Sequence, residues 1–201
     1  LIGGNHIKQP TYTESPKVTI GDTKVTMTDG SVEYFIGGSK ANNSDDTALT
    51  TGNVTAVISG GSIGNQSSTS EYPVSAIGGS YVKSTDPKGG TPASTKAETG
   101  NISLSVSGGT FYGAVFGGSV ADNYSEEQAG SDSSKPDLSI TTGVSSLLIE
   151  GGTFKSTDNI QPKNYDFGVF GGSAALGQKS STESSGSSVI IDAKKDVDIT
   201  G

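Results

Sequence analysis

The first candidates for chemistry in this chain are glycine pairs followed by a hydroxyl residue, as in SVSGGTFYGAVFGGSV at 105–120. Glycine-rich loops hold phosphate in nucleotide-binding proteins, where a Walker motif ends in Gly-Lys-Ser/Thr and a dinucleotide fingerprint opens a helix. No pair here is followed by Lys-Ser or Lys-Thr, and no helical periodicity follows any pair. We therefore interpret the pairs as structural turns, where glycine takes a positive φ or lets neighbouring backbones approach. The predicted turn residues are Gly37, Gly38, Gly60, Gly61, Gly78, Gly79, Gly108, Gly109, Gly117, Gly118, Gly151, Gly152, Gly171 and Gly172.

Acidic and amide side chains form a second set of candidates, for calcium binding. The calcium repeat GGxGxDxUx also begins with two glycines, but its full pattern does not follow the pairs of this chain. Isolated clusters remain at 42–46, at Asp122 and Asn123, and at Glu126 and Glu127. Carboxylate and carbonyl oxygens are the ligands of Ca²⁺ in proteins. Weak calcium binding in a loop therefore stays open, and no other cofactor is expected.

The sequence offers few combinations of side chains that could form a catalytic site. The chain has no cysteine and a single histidine, His6, so no thiol nucleophile, His-based triad or zinc site is predicted. A glycosidase needs two carboxyl groups at a defined separation, and Glu33, Glu71 and Glu150 are the conceivable members. No second acid recurs at a matching register, and strand alternation points Glu150 outward. We expect no enzyme activity, and a carbohydrate-active enzyme or carbohydrate-binding module is the alternative.

Tyrosines are the remaining candidates for ligand contact, because an exposed phenol ring has an apolar face and a polar tip that suit sugars. Tyr112 follows Phe111 in a predicted strand, so that Tyr112 faces outward if Phe111 faces inward. Tyr124 and Tyr165 lie in long polar segments. We predict ligand contacts at Tyr112, Tyr124 and Tyr165, although the absence of tryptophan weakens the case for sugar binding.

Composition and charge exclude several classes of partner. The formal net charge is −8, and all 13 basic residues are lysine. Nucleic-acid binding rests on a basic surface with arginine contacts to bases and phosphates, so no nucleic-acid role is expected. No apolar run approaches the roughly 20 residues that a membrane-spanning helix needs, and we expect no membrane insertion by this segment.

These candidate residues lie on or between short strands that are organised by an internal repeat. Val, Ile, Thr, Phe and Tyr alternate with polar residues in runs such as VTAVI and ISLSV, a pattern typical of strands. Each repeat has a strand, a first glycine pair, a second apolar run and a second glycine pair. The repeat cores span about 25–39, 54–82, 102–120 and 147–174. A period of 20–50 residues is typical of solenoids, and the sequence predicts an all-β parallel β-helix, or β-solenoid, with irregular coils and long polar loops.

The repeats also predict which side chains stack, since equivalent residues of stacked strands lie about 4.8 Å apart. Two apolar ladders and two hydroxyl ladders follow from aligning the copies. The apolar ladders are Ile36, Ile77, Phe116, Phe170 and Val32, Ile63, Phe111, Phe154; the hydroxyl ladders are Ser31, Ser62, Thr110, Thr153 and Ser39, Ser80, Ser119, Ser173. Both apolar ladders are expected to face the interior.

The GG[ST] turns, the absence of cysteine, the acidic balance and the Ser/Thr/Asn/Gly-rich loops resemble one family type. It is the right-handed parallel β-helix of Gram-negative autotransporter passenger domains and related adhesin-like surface proteins, and the resemblance covers most of 25–201. It implies a non-enzymatic extracellular segment at the bacterial cell surface, a stalk that presents loops for attachment or aggregation. The implied partners are a protein or glycan of a host or neighbouring cell, or further copies of the chain. We expect residues 1–201 to be a single fragment of a longer repeat protein, because LIGGN opens and DVDITG closes within the repeat motif.

Overall fold

The computed structural model describes residues 1–8, 17–43, 47–67, 74–84, 94–123, 137–157, 168–176 and 179–200. Within these ranges the chain is all-β and has no helix. The strands are β1 (His6–Lys8), β2 (Lys17–Ile20), β3 (Thr23–Met27), β4 (Ser31–Val32), β5 (Phe35–Ile36), β6 (Lys40–Asn43), β7 (Thr47–Thr51), β8 (Val54–Ile58), β9 (Ser62–Gly64), β10 (Val74–Ile77), β11 (Tyr81–Ser84), β12 (Thr95–Thr99), β13 (Ile102–Tyr112), β14 (Ala114–Phe116), β15 (Val120–Asp122), β16 (Leu138–Lys155), β17 (Val169–Phe170), β18 (Ala174–Leu176), β19 (Ser180–Ile191) and β20 (Val197–Thr200).

Equivalent strands of successive repeats pair in parallel and form three sheets. The first sheet has the order β1-β6-β11-β15-β18, and the second has the order β17-β14-β10-β5. The third and largest sheet contains β2, β3, β4, β7, β8, β9, β12, β13, β16, β19 and β20. Because the pairing always joins one repeat to the next, the strands divide into five tiers: β1–β4, β5–β9, β10–β13, β14–β16 and β17–β20.

A central apolar cluster lies between the second and third sheets. It joins buried residues of the first four tiers, among them Val25, Ile58, Phe111 and Phe154, and partly buried valines of the fifth. The rings of Phe111 and Phe154 stack with their centroids 4.7 Å apart, and both side chains are fully buried. The register pairs Val32 with Ile63, Ile63 with Phe111, and Phe111 with Phe154, which confirms that predicted ladder.

The other predicted apolar ladder does not enter this central cluster. Ile36, Ile77, Phe116 and Phe170 stack in register on the second sheet. Their strand neighbours, which include Phe35 and Val115, belong to the central cluster instead. Because successive side chains of a strand point to opposite faces, the ladder lies on the other face of the second sheet. There it forms a separate apolar cluster with Tyr81, Val120 and Leu176.

The two glycine pairs of each repeat differ in backbone conformation. In the first pair the second glycine takes a positive φ, at 91° for Gly61 and 106° for Gly109. In the second pair no φ is positive, but there is no room for a side chain. A Cβ on Gly37 would collide with the carbonyl oxygen of Gly78. The same collision recurs between Gly78 and Gly117. Glycine is therefore required at one pair by backbone conformation and at the other by close approach of the tiers.

The hydroxyl ladder beside the second glycine pair is buried and hydrogen-bonded from tier to tier. The backbone N–H of Ser39 donates to Ser80 Oγ at 3.2 Å, that of Ser80 to Ser119 Oγ at 3.1 Å, and that of Ser119 to Ser173 Oγ at 3.0 Å. Threonine hydroxyls of third-sheet strands also donate hydrogen bonds to these serines. Thr51, Thr99 and Thr142 donate to Ser39, Ser80 and Ser119 at 2.9, 2.8 and 3.1 Å. These bonds satisfy polar groups that would otherwise be costly to bury.

A second polar ladder connects the tiers at a turn of the third sheet. Asp22 Oδ1 accepts the N–H of Asn53 at 2.8 Å, and Asn53 Oδ1 accepts the N–H of Asn101 at 2.9 Å. Asn101 Oδ1 then accepts the N–H of Val144 at 3.0 Å. The ladder ends at this apolar residue, so four of the five tiers share it.

Substituting Ser80→Ala tests the buried hydroxyl network. The change removes the acceptor of both the Ser39 N–H and the Thr99 hydroxyl, and it removes the donor that contacts Thr51 at 3.4 Å. We expect a loss of about 2–3 kcal/mol in the free energy of unfolding, since each orphaned buried group costs about 1–3 kcal/mol. Chemical denaturation measures the loss. The exposed ladder residue Ser31 serves as the control, and Ser31→Ala should change stability by less than about 0.5 kcal/mol.

Candidate functional site

Tyr112 is the predicted ligand-contact residue that the structure describes. It ends β13, where Phe111 is fully buried and Tyr112 is half-buried. In register its strand neighbours are Gly64 on one side and Lys155 on the other. The ring therefore has no bulky neighbour on the Gly64 side, and the phase of the strand matches the expectation that Phe111 faces inward.

Several other predicted residues lie outside the described ranges. They are Tyr124, Tyr165, Glu71, Glu126, Glu127 and residues 44–46. Of the calcium candidates, Asn42, Asp122 and Asn123 are described, and Asp122 and Asn123 are buried. No group of three or more His, Cys, Asp or Glu side chains able to hold a metal ion occurs in the described part of the chain.

The acidic residues considered for glycosidase chemistry do not come together. Glu150 is half-buried and forms an ion pair with Lys194 of the fifth tier. Glu33 is exposed near the second sheet and lies beside Tyr34, to which it is hydrogen-bonded. The two carboxylates therefore have different partners, because Glu150 lies in β16 whereas Glu33 lies between β4 and β5. The described residues do not assemble a catalytic carboxyl pair from Glu33 and Glu150.

The structure instead brings together a group of tyrosine, lysine and aspartate side chains on the outer face of the first sheet. Tyr81 begins β11, and its hydroxyl donates to Asp122 Oδ2 at 2.6 Å. The ammonium of Lys83 lies 3.6 Å from the same oxygen. Tyr81 and Asp122 are both 8% exposed, so this contact is buried although Lys83 reaches solvent. We call Tyr34, Lys40, Tyr81, Lys83 and Asp122 the tyrosine–lysine cluster.

The Lys40 ammonium lies close to two aromatic rings of this cluster. Its ammonium lies 5.2 Å from the ring centroid of Tyr34 and 5.4 Å from that of Tyr81. Both distances are within the range of cation–π attraction. Among the described residues the Lys40 ammonium has no carboxylate within salt-bridge distance. The Lys40 ammonium lies against the rings of Tyr34 and Tyr81, and Tyr34 is 39% exposed.

Burial controls the electrostatics of the tyrosine–lysine cluster. Desolvation raises the pKa of Tyr81 well above its usual 10, and the charge and hydrogen bond of Asp122 raise it further. Desolvation also raises the pKa of Tyr34, with Glu33 adding to the effect. The pKa of Lys40 is lowered, again mainly by desolvation, although the nearby Glu33 opposes the shift. The two phenols therefore stay neutral at physiological pH and act as hydrogen-bond donors or stacking surfaces.

The cluster was missed in the sequence because its members are separated by whole repeats. In register Lys40 pairs with Tyr81, and Asn42 with Lys83, which pairs in turn with Asp122. Aligning the copies from the second glycine pair onward would have placed these residues in two neighbouring columns. The polar columns carried no recurring residue type, unlike the apolar and hydroxyl ladders, and so gave no signal of their own.

Comparison with known proteins gives no match to a family model, to a curated protein or to a solved structure. None of the described segments forms a helix long and apolar enough to cross a membrane. The geometry of the chain itself is therefore the basis for a functional proposal.

Substituting Tyr81→Phe tests the electrostatics of the cluster. The variant loses the hydrogen bond to Asp122, which is worth about 1.5–3 kcal/mol for a charged acceptor. The folded state raises the pKa of Tyr81 above the unfolded value of 10, so the wild type is fully stabilised below pH 10 and loses stability as pH rises further. The variant lacks this titration, and the stability difference should shrink above pH 10.

Urea denaturation at pH 7, 9 and 11 measures the difference. Tyr112→Phe is the control at pH 7, and it should change stability by less than about 0.5 kcal/mol because this hydroxyl lies outside the cluster. A constant difference between wild type and Tyr81→Phe across the pH series would contradict the assignment.

Proposed function

We propose that this chain is a parallel β-helix segment of a non-enzymatic extracellular protein at the bacterial cell surface. In this proposal the five tiers are successive coils of an adhesin or autotransporter-passenger stalk, and the polar loops make the contacts. Support comes from the all-parallel pairing of each tier with the next and from the sequence resemblance to such passenger domains. The partners would be a protein or glycan on a host or neighbouring cell.

One observation carries the proposal: segments of variable length recur at two junctions of the repeat. Segments 9–16, 44–46, 85–93, 124–136 and 177–178 lie between a strand of the first sheet and a strand of the third, and segments 65–73 and 156–168 lie between a strand of the third sheet and a strand of the second. The strands that flank them stay in register. A scaffold that is constant in register while its connections vary in length and sequence is the arrangement expected of loop-borne recognition.

The chemistry of the tiers also favours a scaffold over an enzyme. The buried hydroxyls of Ser39, Ser80 and Ser119 are engaged in bonds between tiers. The carboxylate of Asp122 is held by Tyr81 and Lys83, and that of Glu150 by Lys194. These hydroxyls and carboxylates are thus engaged in structural contacts that catalysis would have to break.

Exchanging a loop tests the role of the variable junction. Residues 124–136 are replaced by the short segment 44–46, which lies at the equivalent junction two tiers earlier. We expect the melting temperature to stay within a few degrees of the wild type, because the flanking strands β15 and β16 keep their partners. Binding of protein-coated beads to glycan arrays and matrix proteins should fall at least tenfold.

A chain with residues 124–136 in shuffled order is the matched control for loop length and composition. It should bind as weakly as the short-loop variant if the loop sequence is read by a partner. Full binding by both variants, with the fold intact, would overturn the loop-presentation proposal.

Carbohydrate recognition is the second candidate function, and the tyrosine–lysine cluster favours it. Tyr34 presents an exposed ring beside the Lys40 ammonium, an arrangement that suits stacking on a sugar with a charged or polar substituent. The protein is incubated with a panel of polysaccharides, and new reducing ends or the absorbance of unsaturated uronates are measured. We expect no turnover. Turnover that Tyr34→Ala abolishes and Tyr112→Phe retains would favour the enzyme alternative.

A further inference from the structure

The tyrosine–lysine cluster contains more cationic groups than its carboxylate can pair. The Lys40 ammonium forms no hydrogen bond or ion pair with any described residue, and it lies against the rings of Tyr34 and Tyr81. Lys83 shares its carboxylate, that of Asp122, with the Tyr81 hydroxyl, and its ammonium is 3.6 Å from the shared oxygen. This surface can therefore bind a further anion, although the whole chain has a net charge of −8.

Lys40 and Lys83 are diagonal neighbours on the outer face of the first sheet. The register pairs Lys40 with Tyr81 and Asn42 with Lys83, so these four residues form a square on strands β6 and β11. Diagonal neighbours on one face of a sheet are about 7–8 Å apart, a distance that long side chains can span. Desolvation lowers the pKa of Lys40, and the charge of Lys83 lowers it further. A carboxylate between the two ammonium groups would relieve their repulsion.

Glu33 is the other acidic side chain that acts on Lys40, and it does not neutralise this ammonium by direct contact. Its charge opposes the lowering of the Lys40 pKa, but its carboxylate is beyond salt-bridge distance of Lys40. Glu33 is exposed and is hydrogen-bonded to Tyr34. The Lys40 ammonium is thus open to the carboxylate of a ligand.

A buried acceptor without a donor belongs to the same square. Asn42 Oδ1 is buried and has no hydrogen-bond partner. An unpaired buried acceptor destabilises the folded state, and a hydroxyl that donates to it removes this cost. In register Asn42 is the neighbour of Lys83, whose side chain is 43% exposed and can change rotamer to admit a hydroxyl. The surface therefore suits a molecule that carries an acid and a hydroxyl together.

The square lies inside the stack rather than at either end of it. In the first sheet β6 pairs with β1 and β11, and β11 pairs with β6 and β15. Both strands therefore have a paired strand on each side. Further coils before or after residues 1–201 would extend the sheet without covering the outer face on which Lys40, Asn42 and Lys83 lie.

We propose that this outer face binds an acidic saccharide, with the sugar carboxylate between the ammonium groups of Lys40 and Lys83. A sugar hydroxyl donates to Asn42 Oδ1, and the apolar face of the sugar lies on the exposed ring of Tyr34. A simple anion would use the lysines alone, and an acidic peptide offers no hydroxyl-bearing ring. The inference rests on carbohydrate recognition, the second candidate function, and it names the class of ligand: a glycan with uronic or sialic acid residues.

Isothermal titration calorimetry of the whole 201-residue chain with a short oligogalacturonate tests the inference. Its methyl ester is the matched control ligand, since the ester keeps the rings and most hydroxyls but loses the charge. Sialyllactose and lactose form a second pair of this kind. We expect at least one of the two acidic sugars to bind, and its neutral counterpart to bind about tenfold more weakly, the effect of losing one charged hydrogen bond.

Variants assign the binding to the square. Lys40→Gln and Lys83→Gln should each weaken binding of the acidic sugar about tenfold. Lys96→Gln is the matched control, since Lys96 is exposed on the third sheet, and it should bind like the wild type. Asn42→Ala should weaken binding without lowering the free energy of unfolding, because it removes a buried acceptor that has no partner. A merely structural role of Asn42 would lower stability and leave binding unchanged.

A folded chain that binds neither acidic sugar would overturn the inference, and so would unchanged affinity in both lysine variants. Equal binding of the neutral sugars would retain carbohydrate recognition but contradict the acidic class. Polyglutamate that binds while both acidic sugars fail would assign the face to acidic peptides instead. Circular dichroism verifies the β fold of each variant.

The chain with residues 124–136 replaced separates this site from the loops. It should keep its affinity for the acidic sugar, because the square lies on β6 and β11. A wild-type chain that binds beads through that loop but binds no acidic sugar would refute this inference and leave the loop-presentation proposal intact.

Discussion

The parallel backbone pairing of each tier with the next determines which side chains become neighbours. It holds equivalent residues about one strand spacing apart along the stack. The nearest neighbour of each side chain is therefore the side chain at the equivalent position of the next tier. Apolar columns such as Ile63, Phe111 and Phe154 follow from this constraint, because an apolar residue in one tier is buried by the apolar residue of the next. A charge repeated in a column would repel its copies. Exposed columns accordingly mix residue types, as in Thr50, Glu98, Thr141 and Glu183.

Close approach of the tiers also explains why glycine recurs where it does. At the second glycine pair the backbone of one tier occupies the volume where a Cβ of the previous tier would stand. The adjacent serine is small enough to fit the same corner, and its hydroxyl accepts the N–H of the preceding tier. The GGS motif is thus one steric and hydrogen-bonding unit. Its glycines leave room for the backbone of the next tier, and its serine hydroxyl accepts a hydrogen bond from the preceding tier.

Much of this architecture could be predicted from the sequence, because a one-dimensional repeat converts sequence spacing directly into spatial stacking. The strand type, the parallel pairing and the ladders at Phe111 and Ser80 followed from aligning the copies. The face of the Ile36 column did not, since two consecutive apolar residues such as Phe35 and Ile36 give no period-two phase from which to choose. The tyrosine–lysine cluster was equally hidden. Its contacts run diagonally between unlike residues, and only the register between β6, β11 and β15 brings them together.

The buried bonds from threonine to serine have a mechanical consequence. Thr51, Thr99 and Thr142 each reach across the interior to the ladder serine of the opposite wall. Each of these tiers is therefore connected across its own width by a short hydrogen bond, besides being bonded to the tiers above and below. A force that flattens the cross-section must stretch these bonds in every such tier at once, whereas a force that peels the stack from one end loads them one tier at a time. The molecule should resist crushing far better than it resists unzipping.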